Sequence, residues 1–527
     1  MYRPRTPYAK MYTVHTAFAP SETPCAPRPP TAKETRYSKS GSSSPGTQMP
    51  LRLNHLQEKA GVNVQNVTDT LHFLVQEGCI PQDQLVSFQI ELDWIQYKNN
   101  FREPVLLAET HNGHAGGAPV SELRIDTRQV EPGALYRQIL RAFSRSNSED
   151  TDRLPLEDFK SFRRSIAWDF NQLYWNHFQE WEQWTGRGYE RALPGGTSDA
   201  HHATSIADGV ADFWTLLREL DKTGELPQEI YYLEIGVGTG TRCGLWLDAF
   251  QALDKQRGTN YYPRLRVLLG DYALITLDQS RPAVQKHVDL CSFLVLDALQ
   301  PLKTLGFLRD KILHVHTTNV YDNLPDEEYF RANGKLYLVE SRAYLPLAEM
   351  QRIGERCQIP VEKFRSSVER LLGSGPDYFG DHALGMTFWQ EVWQAVRLED
   401  RLVSVETMQD SPFPAGIDLP MVESILATAP KDFRFHLSSG ALQSFLQTLP
   451  LLHPRGYLQV QDIFVRDFQE YQKAFRGPGK MDGSIVNWVN GALLKGVGEH
   501  SGYDVYFAPF HYRKASHTSI MYASRRN

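Results

Sequence analysis

The stretch "YYLEIGVGTGTRCGLWLDAF", residues 231–250, leaves the chain around it few ways to fold. Apolar and β-branched residues up to Ile235 read as a buried strand, three alternating glycines follow as a turn, and the apolar spacing after Thr241 reads as a helix. A strand feeding a helix through a glycine turn is the opening of a parallel α/β unit, where backbone N–H groups can approach a ligand closely. Two ligand classes are excluded by the spacing. A dinucleotide fingerprint G-x-G-x-x-G requires glycine where Thr241 stands, and a Walker loop requires a G-K-[ST] that is absent. What remains is E-x-G-x-G-x-G, made by Glu234, Gly236, Gly238 and Gly240. A carboxylate two residues ahead of the turn repels a phosphate and suits an ammonium group. The turn therefore predicts a ligand with an amino-acid end, carrying both an amine and a carboxylate.

From residue 229 onward strand text alternates with helix text, the mark of a parallel sheet covered on both faces. Strands are predicted at 230–236, 266–272, 292–298, 311–320 and 456–465, with a closing pair at 503–510 and 517–524 near enough to form an antiparallel hairpin. The text from 336 to 440 interrupts this order and reads as an insertion between the fourth and fifth strands. Upstream, residues 1–50 are rich in Pro, Ser and Thr and predict a disordered tail. Residues 51–150 predict a small α+β accessory region. Residues 151–228 are helical and aromatic: Trp168, Trp175, Phe178 and Trp181 fit the face of a helix packed on a core, and alternatively a lid that covers a ligand.

These features resemble the class I S-adenosylmethionine-dependent methyltransferases, whose first motif is an apolar strand followed by E/D-x-G-x-G-x-G. The resemblance implies a Rossmann-like seven-stranded sheet with an antiparallel last hairpin, here joined by the accessory region, the helical lid and the insertion. It implies S-adenosyl-L-methionine as cofactor, held by Glu234, Gly236, Gly238 and Gly240. Asp271, in "LLGDYA", would hold the ribose hydroxyls, with Asp278 as a weaker alternative; Asp297 and Ala298, in "LVLDAL", would read the adenine edge. On the acceptor side Asn319, Tyr321 and Asp322 follow the fourth strand, beside the methyl group to be moved. "YDNLP" is similar to the strand-four motif N-E-x-x-D-A-L-P of the MidA-type methyltransferases, named for a mitochondrial complex I assembly factor and known as protein arginine methyltransferases. Asp322, Leu324 and Pro325 match that motif. The motif's Glu falls at Asn319, its Ala falls at Asn323, and the D-Y-G expected after the fifth strand is "QDIF" with Asp462. Loss of the Glu weakens the case for a guanidinium acceptor, which carboxylates normally hold in bidentate fashion.

His314 and His316 share one face of the fourth strand, where core histidines are commoner than ligands or bases; His316, nearer the strand end, is kept as a candidate base. His201 and His202 are adjacent and would point apart, and Cys25, Cys79, Cys243, Cys291 and Cys357 lie scattered without metal spacing, so no metal and no disulfide framework is expected. A formal charge of -6 without long runs of one sign argues against nucleic acid or an anionic membrane as partner. "LQEKAGVNVQNVTDTLHFLVQEG" has helix-turn-helix character but no basic recognition helix. No apolar run approaches a membrane span, so a cytoplasmic protein is expected. The first fifty residues hold seven Lys/Arg against Glu22 and Glu34, which makes a mitochondrial address the alternative, although their prolines oppose an amphipathic helix. The leading expectation is methyl transfer to an O or N atom of a protein or bulky metabolite, with a homodimer allowed. The competing one is an assembly or binding protein that keeps the fold without turnover.

Overall fold

The computed structural model describes residues 51–53, 64–94, 99–108, 110–111, 121–130, 133–145, 152–188, 198–332, 334–410, 413–414, 416–473, 475, 477–513 and 516–526. The expected tail at residues 1–50, with Cys25, lies outside them. The accessory region is a four-stranded sheet in the order β1 (Leu51–Leu53), β2 (Phe88–Leu92), β4 (Ser121–Ile125) and β3 (Val105–Ala108). Two helices, α1 (Val64–Gln76) and α2 (Leu135–Arg145), bring Val67, Leu71, Leu74 and Ile139 into one core with Ile90, Leu123 and Ile125 of the sheet. The apolar face of α1 is thus spent on this sheet, while residues 56–63 of the helix-turn-helix text lie outside the described residues.

Helices α3 (Ile166–Asn176) and α4 (Phe178–Thr185) follow. The Ser165 hydroxyl starts α3 by accepting the Ala167 N–H, as an N-cap should. Trp168, Phe178 and Trp181 are buried and Trp175 is half-buried. Trp168, Tyr174 and Trp181 enter a core with Trp389 and Trp393, Trp181 lying 4.6 Å from Trp389 between ring centroids. Of the two expectations for this stretch, a face packed on a core describes Trp168 and Trp181, which meet a second aromatic helix.

The central sheet is built next. Helix α5 (Ala203–Thr223) leads into β5 (Ile230–Ile235), α6 (Thr241–Arg257), β6 (Leu265–Asp271), α7 (Leu274–Ser280), β7 (Cys291–Val295) and β8 (Ile312–Thr318). The chain then leaves the sheet. It forms β9 (Glu328–Ala332), β10 (Lys335–Pro346), α8 (Leu347–Cys357), α9 (Phe364–Ser374), α10 (His382–Ala395), β11 (Arg397–Val405) and β12 (Phe433–His436). It returns through α11 (Ser439–Thr448) to β13 (Leu452–Val465), α12 (Gly491–His500), β14 (Tyr503–Pro509) and β15 (Thr518–Arg525). The central order is β7-β6-β5-β8-β13-β15-β14. The first five strands are parallel, and β15 is antiparallel to both its neighbours.

Alternation along β5 explains the two covered faces. Ile230 and Tyr232 meet Phe213, Trp246 and Phe250 of α5 and α6, whereas Leu233 and Ile235 meet the other core, with Leu442, Phe445 and Leu493. The segment between β8 and β13 makes its own sheet, β12-β9-β10-β11, beginning at Glu328. Residues 153–161 pair with β10, so the stretch before α3 joins this second sheet.

The accessory region meets the second sheet through buried charge. Arg102 bonds Glu328 and Asp400 at 2.8 and 2.9 Å, Arg124 bonds Glu122 and Asp400 at 2.6 and 2.8 Å, and Arg434 pairs with Glu122 and Glu328. All three guanidinium groups lie over the Trp94 ring.

Candidate functional site

Four parallel strands, β7, β6, β5 and β8, end on the same edge of the sheet, and the residues singled out by sequence cluster there. Gly236, Gly238 and Gly240 all have positive φ (74°, 53° and 73°), a conformation that costs L side chains energy. Their surroundings differ. A Cβ on Gly236 would lie 2.4 Å from Val320 Cγ2, and one on Gly240 would lie 2.7 Å from the Ser280 carbonyl oxygen, while one on Gly238 would meet nothing within 4 Å. Two glycines are thus required by packing; the third faces open space beside the N-terminus of α6. The first N–H groups of that helix have no carbonyl partners within it.

Glu234 is buried, and its carboxylate turns under α6. Its Oε2 accepts from Tyr232 Oη at 3.0 Å and from Arg242 Nη1 at 2.8 Å, and Arg242 also donates to the Tyr232 hydroxyl. Strand alternation puts Glu234 on the face of Tyr232, and Arg242 reaches both from the first turn of the helix. The expected contact of Glu234 with a ligand ammonium therefore competes with an ion pair already in the fold. Neighbouring Cys243 is buried, and burial pushes its thiol well above the usual range.

Asp271 closes β6. Its carboxylate accepts from the backbone N–H groups of Gly238 at 3.4 Å and Ala273 at 3.2 Å, and burial pushes it up to about 6. Asp278 is exposed and paired with Arg281 at 3.1 Å. The third strand ends at Val295, earlier than predicted, so Asp297 and Ala298 occupy the loop beyond it. Asp297 is exposed and accepts from Leu299 N–H, and Ala298 is half-buried. Tyr272, Leu274 and Ile275 after β6 and Val295 at the end of β7 are apolar groups left exposed.

On the β8 side Asn319 adopts φ 51° and its N–H donates to Gln461 O. Asp462, at the matching place on β13, accepts from the N–H groups of Tyr321 and Asp322 at 2.9 and 3.3 Å. Asp322 and Asp462 are both buried, and burial raises both carboxyls, with each other's charge adding to the rise at Asp462. Asp322 Oδ1 accepts from Asn323 Nδ2 at 2.8 Å.

Helix α3 spans this edge. Its Gln172 carbonyl accepts from Tyr272 Oη at 3.2 Å, next to Asp271, while Asn171 Nδ2 donates to Asn323 O at 3.2 Å and Trp175 Nε1 to Asn323 Oδ1 at 3.3 Å. Two expectations for the acceptor side are corrected. His316 lies inside the sheet with Nδ1 on Gln459 at 2.9 Å and Nε2 on Thr318 at 2.8 Å. Burial, reinforced by Arg242, holds its pKa well below the usual range. It is a neutral core histidine and no base. Tyr321 points its ring into the core with Phe445 and Leu442. Arg242, Tyr272 and Asn171 escaped the sequence reading, whereas Trp175 was read only as part of an aromatic face or lid and Asn323 only as a departure from the motif's Ala; of the three missed, Arg242 had a local cue, a basic residue at the start of the helix after an acidic strand end.

Among the described residues no group of three or more His, Cys, Asp or Glu is arranged to hold a metal ion, and no helix is long and apolar enough to cross a membrane. No family model matches this sequence, and no curated protein matches it. Solved structures do. A COG1565 superfamily protein from Burkholderia thailandensis, bound to S-adenosylhomocysteine, is similar at 14% identity and a TM-score of 0.41, over 73% of this chain and 90% of its own. The DszA carbon methyltransferase follows at 13% and 0.30, over 78% and 74%. A 1,6-didemethyltoxoflavin-N1-methyltransferase from Burkholderia thailandensis, with S-adenosylhomocysteine, gives 8% and 0.29, over 72% and 97%.

Proposed function

We propose that this chain is an S-adenosylmethionine-dependent methyltransferase acting on an O or N atom of a protein side chain or a bulky metabolite. The observation that carries the reading is Gly238: open space at a positive-φ glycine, at a helix N-terminus, with the Asp271 carboxylate on its amide. In this reading the N–H groups of α6 receive the carboxylate of the methionine end. Asp271 accepts the two ribose hydroxyls, and Tyr272, Leu274 and Ala298 provide apolar surface for the adenine, with Asp297 at its edge. The cofactor supplies an electrophilic methyl on a sulfonium. With the cofactor bound, transfer would form the bond from an acceptor lone pair to that carbon as the carbon–sulfur bond breaks, its electrons remaining on sulfur. Glu234, neutralised by Arg242, holds the start of the turn in place. Asp322, backed by Asp462, is positioned to take the proton that an O–H or protonated N acceptor must lose.

The match of Asp322, Leu324 and Pro325 to the MidA-type motif supports membership of that subgroup. The Asn319 departure, which removes the motif's Glu, favours an acceptor other than a guanidinium held by two carboxylates. One observation supports the alternative of a fold without turnover: His316 and Tyr321 are both spent on the core. The two readings separate by experiment. Incubation with methyl-labelled S-adenosylmethionine and a fractionated cell extract should label an acceptor with the native chain and not with Asp322→Asn. Cofactor binding without label in any fraction would favour the alternative.

A further inference from the structure

We infer that Asn323 is a positioning residue that couples helix α3 to the Asp322 carboxylate. This deepens the proposed function and rests on Asp322 being the acceptor-side carboxylate. Three bonds carry the argument. The Trp175 indole N–H donates to Asn323 Oδ1 at 3.3 Å, Asn323 Nδ2 donates to Asp322 Oδ1 at 2.8 Å, and the same nitrogen reaches Asn319 O at 3.3 Å. An indole nitrogen can only donate, so it selects the carboxamide orientation whose oxygen faces α3 and whose NH2 group faces Asp322. A reversed amide would set donor against donor at Trp175 and acceptor against acceptor at Asp322.

The backbone of the same residue is held too. Asn171 Nδ2 donates to Asn323 O, Asn171 Oδ1 accepts from Ile485 N–H at 2.9 Å, and Asn487 N–H donates to the Asp322 carbonyl at 3.0 Å. The loop after β8 is thus clamped between α3 and residues 484–487, and the carboxamide is its link to the carboxylate. Alanine, which the MidA-type motif places here, could make neither side-chain bond. Because α3 is also tied to Tyr272 beside Asp271, one helix spans the ribose-side and acceptor-side carboxylates.

Asp462 of β13 accepts from the Asp322 N–H, α3 brings the neutral Asn171 and Trp175 to this loop, and the 484–487 segment brings Asn487, whose Nδ2 donates at 2.6 Å to Asp326, itself paired with His436 at 2.9 Å. Of the titratable groups of α3, Asp169 is raised by burial and feels Lys160 and Glu157, and Tyr174 is raised by burial with Asp482 and Glu182 adding to it, while His177 at the helix end pairs with Glu180 at 3.0 Å. Ionisation of Asp322 should therefore register at Trp175 through Asn323.

The test is fluorine NMR of the full chain carrying 5-fluorotryptophan, titrated with pH without cofactor, with Trp175→Phe identifying the resonance. The Trp175 signal is expected to move as the Asp322–Asp462 pair ionises. That movement should be lost in Asp322→Asn and in Asn323→Ala, both of which should still melt cooperatively. If Asn323→Ala does not fold, Asn323→Ser, too short to join both partners, serves the same comparison. A Trp175 signal that ignores pH in the parent, or that titrates equally without Asn323, overturns the coupling. Neither result depends on cofactor binding, so failure of the coupling and failure of the methyltransferase reading are separately visible.

Discussion

Gly236 and Gly238 share a sign of φ and differ in what a methyl group would meet, so alanine should separate their roles. Gly236→Ala drives Cβ into Val320 from a left-handed backbone and should destabilise the protein by about 1–3 kcal/mol, read by urea unfolding. Gly238→Ala should cost only about 1 kcal/mol for the backbone. Asp271 gives a second prediction with a defined sign. Burial holds its folded carboxyl at about 6, above the unfolded value. The folded state therefore binds the proton more tightly, and the stability this lends is full below the unfolded pKa and lost as pH rises through about 6. Asp271→Asn should raise the melting temperature of the free protein more at pH 8 than at pH 5, and should weaken S-adenosylhomocysteine binding by about 2 kcal/mol at pH 8. For the native chain that affinity should fall below pH 6. Glu234 and Asp271 were legible at their strand ends because an apolar run stops there, whereas Asp297 lies two residues beyond the end of β7. The Arg242 partner of Glu234 and the two occupied nitrogens of His316 were not, since they depend on how a helix or a neighbouring strand is phased against β5 and β8.

Strands of the central sheet were legible as elements because each is a short apolar run bounded by turn residues; β7 ends three residues short of the expected 298, at Val295, and β8 two short of 320, at Thr318. The aromatic stretch 166–185 reads correctly as helical from its three- and four-residue spacing. Its partner, the aromatic face of α10, lies some two hundred positions later, and only the fold reveals that both faces are spent on each other. Helix α6 carries a prediction at this scale. Arg242→Met leaves Glu234 buried without its cation and should cost about 3–5 kcal/mol. Adding Glu234→Gln should recover part of that loss, checked by a double-mutant cycle in denaturant.

Strand order is a property of the whole molecule, and no local text states that the fifth strand of the central sheet follows a second sheet of its own. Nor does sequence announce that Arg102, Glu122 and Arg124 are interior, since such residues are mostly found at surfaces. Removing one member of their network is expected to be severe. Arg434→Met strips a cation from both Glu122 and Glu328 and should cost about 3–5 kcal/mol, measured by urea unfolding. Burial alone would raise Asp400, but Arg102 and Arg124 overcome it and hold that carboxyl below the usual range. Its contribution is present above the unfolded pKa and lost as pH falls through the depressed folded one, so the junction should weaken in strong acid.

The central claim is that the open space at Gly238 is the path of S-adenosylmethionine. Calorimetric titration of the native chain and of Gly238→Val with S-adenosylmethionine and S-adenosylhomocysteine tests it most directly. The account predicts binding of both by the native chain and loss of both in a variant that still unfolds cooperatively. A well-folded native chain that binds neither, or a folded Gly238→Val that binds as the native chain does, would contradict it.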